Sequence, residues 1–232
     1  MVIDTGLGIQ QTKDLCRIAG DYIDVVKIGF GTSKLYDKTV LKEKIAFLRN
    51  NNIDVMTGGT LYEIAFTQEA VPAFLVEAES LGFSIIEISD GTIPLSANDR
   101  IHSIKHARRL GFKVITEVGK KKREYDLSTE EYIAQLKTDL KEDVFKVTIE
   151  ARGSGRGLGI YDETGRIRVN RLNSILEEID PNKILFEAPQ KHQQVHLIDA
   201  IGTNVNLGNI RPFDVISCET LRQGLRGDTL KL

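Results

Sequence analysis

The chain has 232 residues, 41% hydrophobic and 28% charged, which is ordinary for a globular protein and enough for one large core. Its formal net charge of −2 gives no electrostatic footing for nucleic acid or an anionic membrane. No apolar run approaches the ~20 residues that span a bilayer, and the opening MVIDTGLG lacks the basic and apolar regions of a signal peptide.

One pattern then repeats along the chain. A short, mostly apolar run ends in polar or glycine residues, and an amphipathic stretch follows. The runs are VID (2–4), DVVKIG (24–29), IDVMTG (53–58), SIIEIS (84–89), KVITEVG (113–119), VFKVTIE (144–150), KILFEAP (183–189) and NVNLGN (204–209). They read as parallel strands covered on both faces, and most start about 30 residues apart, the length of a βα unit. Helical patterns lie between them at 41–51, 71–83, 101–112, 128–140 and 211–226. Gly82 and Gly111 stand where C-caps belong, Ser128 and Glu131 have the spacing of a capping box, and Pro212 suits a helix start. Within the last segment, VIS could instead be an edge strand. Eight runs interleaved with helices, without a Pro- or Gly-rich linker, predict one α/β domain over residues 1–232. It is a single (β/α)8 TIM barrel with parallel strands, the open doubly wound sheet being the alternative.

A barrel of this kind carries its chemistry at the C-terminal ends of the strands. Asp4, Lys27, Glu63, Glu87, Asp90, Glu117, Lys121, Glu150, Arg152, Glu187, Asn206 and Asn209 fall at or just beyond those ends. A lone carboxylate there is ordinarily solvated or caps the next helix. Glu117, Glu150 and Glu187, however, occupy equivalent places on three successive strands. Crowded anions repel unless cations offset them, and Mg²⁺ prefers oxygen ligands. The stretch RGSGRGLG (152–159) reads as a mobile loop whose N–H and guanidinium groups could hold an anion, or as a plain surface turn. GGTL (58–61), opening a helix, is a second candidate anion site. Arg222 and Arg226 share a helix face and could bind an anion or simply favour a helix C-terminus. His102/His106 and His192/His196 have i,i+4 metal spacing without the zincin glutamate and read as solvated helix faces. Cys16 and Cys218 form neither a metal site nor a disulfide framework, which suits a reduced, cytoplasmic setting. No serine or cysteine sits in a nucleophile elbow.

Taken in order, DYIDVVKIGFGTS (21–33), GGTLYE (58–63), EISDGT (87–92), TEVGKK (116–121), EARGSGRG (150–157), FEAPQKHQQ (186–194), NVNLGNI (204–210) and ETLRQGLRGDT (219–229) resemble the phosphosulfolactate synthase family. Phe30 stands where that resemblance leads one to expect tryptophan. The resemblance implies a barrel that adds sulfite to phosphoenolpyruvate with Mg²⁺, giving (2R)-phospho-3-sulfolactate, and that assembles as a homo-oligomer, with a trimer the expected form. In some organisms that product enters coenzyme M biosynthesis. It also implies roles. Glu117, Glu150 and Glu187 organise Mg²⁺, and Lys121 is the general acid; independently of the resemblance, a lysine among cations is expected to have a lowered pKa. Lys27, Arg152, Arg156, Arg222, Arg226 and Asn206 hold the substrate anions. The alternatives are another Mg²⁺-dependent barrel enzyme acting on an enol phosphate or sugar phosphate, and a non-catalytic anion-binding barrel.

Overall fold

The computed structural model describes residues 1–121, 126–151 and 153–230. Eight strands pair in parallel, in chain order: β1 (Val2–Asp4), β2 (Val25–Ile28), β3 (Asp54–Thr57), β4 (Ile85–Ile88), β5 (Lys113–Val118), β6 (Lys146–Ile149), β7 (Ile184–Glu187) and β8 (Leu207–Gly208). Each lies inside one of the eight runs expected from sequence. A parallel bridge between Val2 and Ile210, with Ile3 N donating to Ile210 O at 2.9 Å, draws the exit of β8 against β1 and brings the sheet round into a barrel. The fold is thus the expected TIM barrel.

The helices are α1 (Ile9–Ala19), α2 (Lys38–Asn50), α3 (Gly59–Thr67), α4 (Val71–Leu81), α5 (Ala97–Arg109), α6 (Thr129–Leu140), α7 (Val169–Glu178), α8 (Lys191–Ile201) and α9 (Val215–Arg222). They bury apolar stripes against the outside of the barrel. In α2 the stripe is Leu41, Ile45 and Leu48, each no more than 1% exposed. Each such side chain contributes about 1.5–3 kcal/mol by leaving water. Gly82 ends α4 at φ +91°, a conformation open to glycine at no steric cost. The Ser128 hydroxyl accepts from Glu131 N while Glu131 accepts from Ser128 N, the reciprocal cap expected for α6. The VIS segment is helix. A 3₁₀ turn over Pro212–Asp214 precedes α9, so that helix starts later than the 211 expected. Among the described residues, no helix is long and apolar enough to cross a membrane.

Strand alternation sorts side chains into two regions, since successive residues face opposite sides of a sheet. Val25, Met56, Ile85 and Ile115 form a small apolar cluster with Met1 inside the barrel. Their neighbours Val26, Val55, Ile86 and Val114 join the larger core under the helices. Two residues further along the same strands come Lys27, Gly58, Glu87 and Glu117. The interior therefore changes from apolar to ionic within one step of the pleat, at the C-terminal rim.

Candidate active site

The ionic layer is built from successive strands. Lys27 reaches up from β2, with Nζ 2.9 Å from Glu87, 3.3 Å from Glu187 and 3.6 Å from Glu117. Glu87, at the end of β4, also accepts the N–H of Gly59 at 2.5 Å, at the start of α3. That contact needs a residue without a side chain. A Cβ on Gly59 would stand 2.4 Å from Ser89 Oγ and 3.1 Å from Glu87 Oε2. Glu187 ends β7 and accepts Ala151 N at 3.0 Å. Lys121 follows β5 and lies 3.6 Å from Glu117, 3.7 Å from Glu63 and 3.9 Å from Glu150. Glu117, Glu150 and Glu187 are each no more than 3% exposed, and one carboxylate oxygen from each lies within 4.8 Å of the others. These groups line a cavity of about 270 Å³ together with Ile3, Phe30, Gly58, Thr60, Gly153 and Asn209. Ile3, Phe30, Gly153 and Asn209 also line a neighbouring groove of about 1030 Å³, so the two open into one another.

Burial and crowding set the protonation pattern. Burial pushes the Glu150 carboxyl up, and the charges of Glu117 and Glu187 push it further. Burial would raise Glu117 too, but Lys121 and Lys27 outweigh it and hold that carboxyl well below its usual range. For Lys27 and Lys121 burial alone would favour the neutral amine. The surrounding carboxylates win, and both ammoniums are held more tightly than in water. Glu117 Oε1 is buried and meets no hydrogen-bond donor. Three buried hard oxygen donors, one of them without a hydrogen-bond donor, in a site whose crowded negative charge favours a proton on Glu150, suit a divalent cation of the Mg²⁺ type.

The (2R)-phospho-3-sulfolactate synthase (ComA) family matches residues 1–228. The chain is 46% identical over 231 residues to the phosphosulfolactate synthase of Methanocaldococcus jannaschii, covering 99% of this chain and 92% of that protein. It is 40% identical over 235 residues to the one from Bacillus subtilis, covering 100% and 92%. The chain belongs to the phosphosulfolactate synthase family. It is an enzyme of the carbon–sulfur bond-forming lyase type. Among solved structures it resembles 3-hexulose-6-phosphate synthase at TM-score 0.60 and 12% identity, over 96% of this chain and 99% of that one. A dihydrodipicolinate synthase from Agrobacterium tumefaciens matches at TM-score 0.58 and 12% identity, over 98% and 74%. At such identities these matches show the barrel and nothing of its chemistry.

In this family member the residues expected from sequence separate into groups. Lys27, Glu117, Lys121, Glu150 and Glu187 converge on the cavity. Arg226 lines the adjoining groove, with its Nε 3.9 Å from Asp228. Arg156 is exposed and is not part of the cavity wall among the described residues, and Arg152 lies outside the described residues. Arg222 and Asn206 are corrected outright, because they sit at the opposite, N-terminal mouth of the barrel beside Met1, Asp24 and Val25. There Arg222 donates to the carbonyls of Thr203 and Val205, and Asn206 to that of Ile184 at 2.9 Å. Both side chains tie backbone together. Lys27, although it lines the cavity, is paired with carboxylates, and Lys121 is surrounded by anions. The expected lowering of its pKa is therefore reversed in the protein alone.

The glycine loop also differs from expectation. The N–H groups of Gly155 and Gly157 donate to Ala151 O and Asp162 O, and Gln193 Nε2 clasps the carbonyls of Gly155 and Gly165 at 2.7 and 3.0 Å. Those N–H groups are engaged within the loop and do not line an anion cradle. His192 Nε2 stands 2.9 Å from Gly165 O, so it helps fasten the same loop. Sequence reading passed over the support of Lys121. Glu63, 1% exposed, accepts from Ser89 Oγ at 2.6 Å and Gly91 N at 2.8 Å, and Gly91 O accepts from Lys121 N at 2.9 Å. Ser89 and Gly91, flanking Asp90 in EISDGT, were the available signal.

Proposed function

We propose that the protein catalyses the Mg²⁺-dependent addition of sulfite to phosphoenolpyruvate, giving (2R)-phospho-3-sulfolactate, with Lys121 as the general acid at C2. One observation carries this reading. A buried triad of carboxylates from β5, β6 and β7 faces a small cavity, with a lysine ammonium within 4 Å of two of them. Phosphoenolpyruvate and sulfite are both anions. Among the described residues the cavity wall holds more carboxylates than ammoniums, so added positive charge would favour the entry of both anions.

Glu117, Glu150 and Glu187 would hold the cation. When bound, Mg²⁺ supplies positive charge where the substrate carboxylate gains electrons, and it offsets the acidic field on Lys121. Sulfite uses its sulfur lone pair to form the C–S bond at the methylene C3. The C2–C3 π electrons move through C2 into the carboxylate, and C2 then takes a proton from Lys121 Nζ. No group is oxidised or lost. Lys27 offsets part of the negative charge of Glu87, Glu117 and Glu187 in a buried site. Lys121 enters from the side of the cavity that follows β5, held by Glu63 and Thr60. Delivery from one side gives one configuration at C2. Arg226 and Arg211 both line the adjoining groove, where they would meet a phosphate that projects there. Assembly as a homo-oligomer, with a trimer the expected form, belongs to the same reading.

The test is consumption of phosphoenolpyruvate by purified protein. It should require both sulfite and Mg²⁺, and chelation should abolish it. Turnover without sulfite, or none with both present, would refute the proposal.

A further inference from the structure

Among the described residues, five other than glycine have positive φ: Phe30, Asn52, Glu69, Asp143 and Asn209. Asn52, Glu69 and Asp143 lie just past the ends of α2, α3 and α6, where the left-handed conformation closes a helix. Phe30 and Asn209 instead follow β2 and β8, and both line the carboxylate cavity. Strained backbone beyond a strand end is a mark of functional sites.

Asn209 carries two further observations. It is 4% exposed, and its carboxamide has no hydrogen-bond partner among the described residues: Oδ1 is wholly buried, and Nδ2 keeps both its N–H donors for a ligand in the cavity. Its place is also against strand parity. Gly208 faces the barrel interior, since a Cβ there would stand 3.0 Å from the Met1 side chain and 3.4 Å from that of Leu185, so the next residue should face outward. The turn to φ +54° instead places Asn209 on the cavity wall. A buried amide left unsatisfied costs about 1–3 kcal/mol, and glycine would adopt this φ with no such cost.

We infer that Asn209 is a substrate-contacting residue whose carboxamide N–H donates to an anionic oxygen of the bound substrate. The inference rests on the proposed reaction for the identity of that substrate. Strand order supports the contact. β8 follows β7, so Asn209 flanks the Glu187 side of the triad, while Thr60 and Lys121 flank the other. A ligand held over the triad has Asn209 as its neighbour on the β8 side. Asparagine offers two N–H donors and no charge, so it can meet an anion within an acidic cavity without pairing to the carboxylates.

Asn209→Gly keeps the backbone conformation and removes the amide. Asn209→Asp keeps the shape and turns a donor into an anion. Wild type and both variants are titrated calorimetrically with phosphoenolpyruvate in the presence of Mg²⁺, and with Mn²⁺ alone by electron paramagnetic resonance. The expected result is a roughly 10–100-fold loss of phosphoenolpyruvate affinity in Asn209→Gly, larger in Asn209→Asp. Mn²⁺ affinity in Asn209→Gly should stay within about twofold, and its thermal midpoint should be no lower than wild type. Phosphoenolpyruvate affinity unchanged in both variants overturns the inference. So does a loss of Mn²⁺ affinity in Asn209→Gly as large as that for phosphoenolpyruvate, since the amide would then serve the cation. Wild type that binds phosphoenolpyruvate but shows no sulfite-dependent turnover refutes the proposed reaction alone, because the titration needs no turnover. Wild type that binds none overturns both.

Discussion

The Lys27 ammonium lies 2.9 Å from a Glu87 carboxylate oxygen, with the Glu87 side chain wholly buried and that of Lys27 8% exposed. The pair stands where the barrel interior changes from apolar to ionic. It makes Lys27 a counter-ion for the acidic layer before it can be anything for a substrate.

Lys27→Met should therefore be costly to the fold. It leaves Glu87, Glu117 and Glu187 buried without their shared cation, and removing one partner of a buried pair costs ~3–5 kcal/mol. Chemical denaturation of the metal-free protein would measure it. The double variant Lys27→Met/Glu87→Gln should recover part of the loss, because it removes one of the stranded charges. A loss below about 1 kcal/mol in the single variant would mean that these carboxylates shed their charge by taking up protons instead.

Lys121→Ala should separate catalysis from binding. General-acid catalysis is worth about 10²–10⁴-fold, so kcat should fall by that order while phosphoenolpyruvate affinity changes only a few-fold. Steady-state kinetics beside direct titration would show it. Unchanged turnover sinks the assignment of Lys121, and a barrel that only binds anions would show unchanged binding with no turnover in wild type either.

Divalent cation binding should release protons. In the metal-free protein the Glu150 carboxyl is held well above its usual range by burial and by Glu117 and Glu187, so it keeps its proton below that raised value. A cation among the three carboxylates requires the ionised form. Affinity should rise with pH until Glu150 is ionised in the free protein, and then level off. Calorimetry in buffers of different ionisation heat would count the protons released. Glu150→Gln should lose the pH dependence along with most of the affinity. Cation binding with no proton exchange would place the ion elsewhere.

Much of this site is legible in the sequence because parallel strands force equivalence. Glu117, Glu150 and Glu187 end three successive apolar runs, so a barrel must bring them to one rim, and it does so within 4.8 Å. The position of Lys27, two residues beyond the apolar Val25, follows from the same alternation. Reading failed where the alternation is short or broken. β8 contributes only Leu207 and Gly208 to the sheet, too little to reveal its phase. Asn206 falls before it at the N-terminal mouth, and Asn209 reaches the cavity through a positive φ that no periodicity encodes. Arg222 reads as an anion ligand from its spacing with Arg226 along one helix face. That helix runs back along the barrel, and its last turn lies beside the chain start. The pKa of Lys121 was misjudged because sequence shows cations next to it in the chain, whereas the fold surrounds it with carboxylates from other strands.

Gly159 shows how far the support of the triad extends. Its φ is +58°, and a Cβ there would stand 2.5 Å from the backbone carbonyl oxygen of Glu150 and 3.3 Å from Tyr132 Oη. Carbonyl and phenol are both fixed, the latter by a 3.2 Å bond to Val118 O, so Gly159→Ala must move Glu150. The left-handed conformation alone costs ~1–3 kcal/mol for a residue with a side chain. Gly111→Ala is the control, since Gly111 has φ +87° with nothing within 4 Å of its added Cβ. Both variants should lose stability to backbone strain. Only Gly159→Ala should also lose divalent-cation affinity, by roughly 10–100-fold, the usual effect of disturbing the groups that hold a ligand in place. Denaturation curves and Mn²⁺ titrations on the two variants would distinguish them. Equal cation affinity in both would show that the Glu150 carboxylate does not depend on the packing of its own backbone.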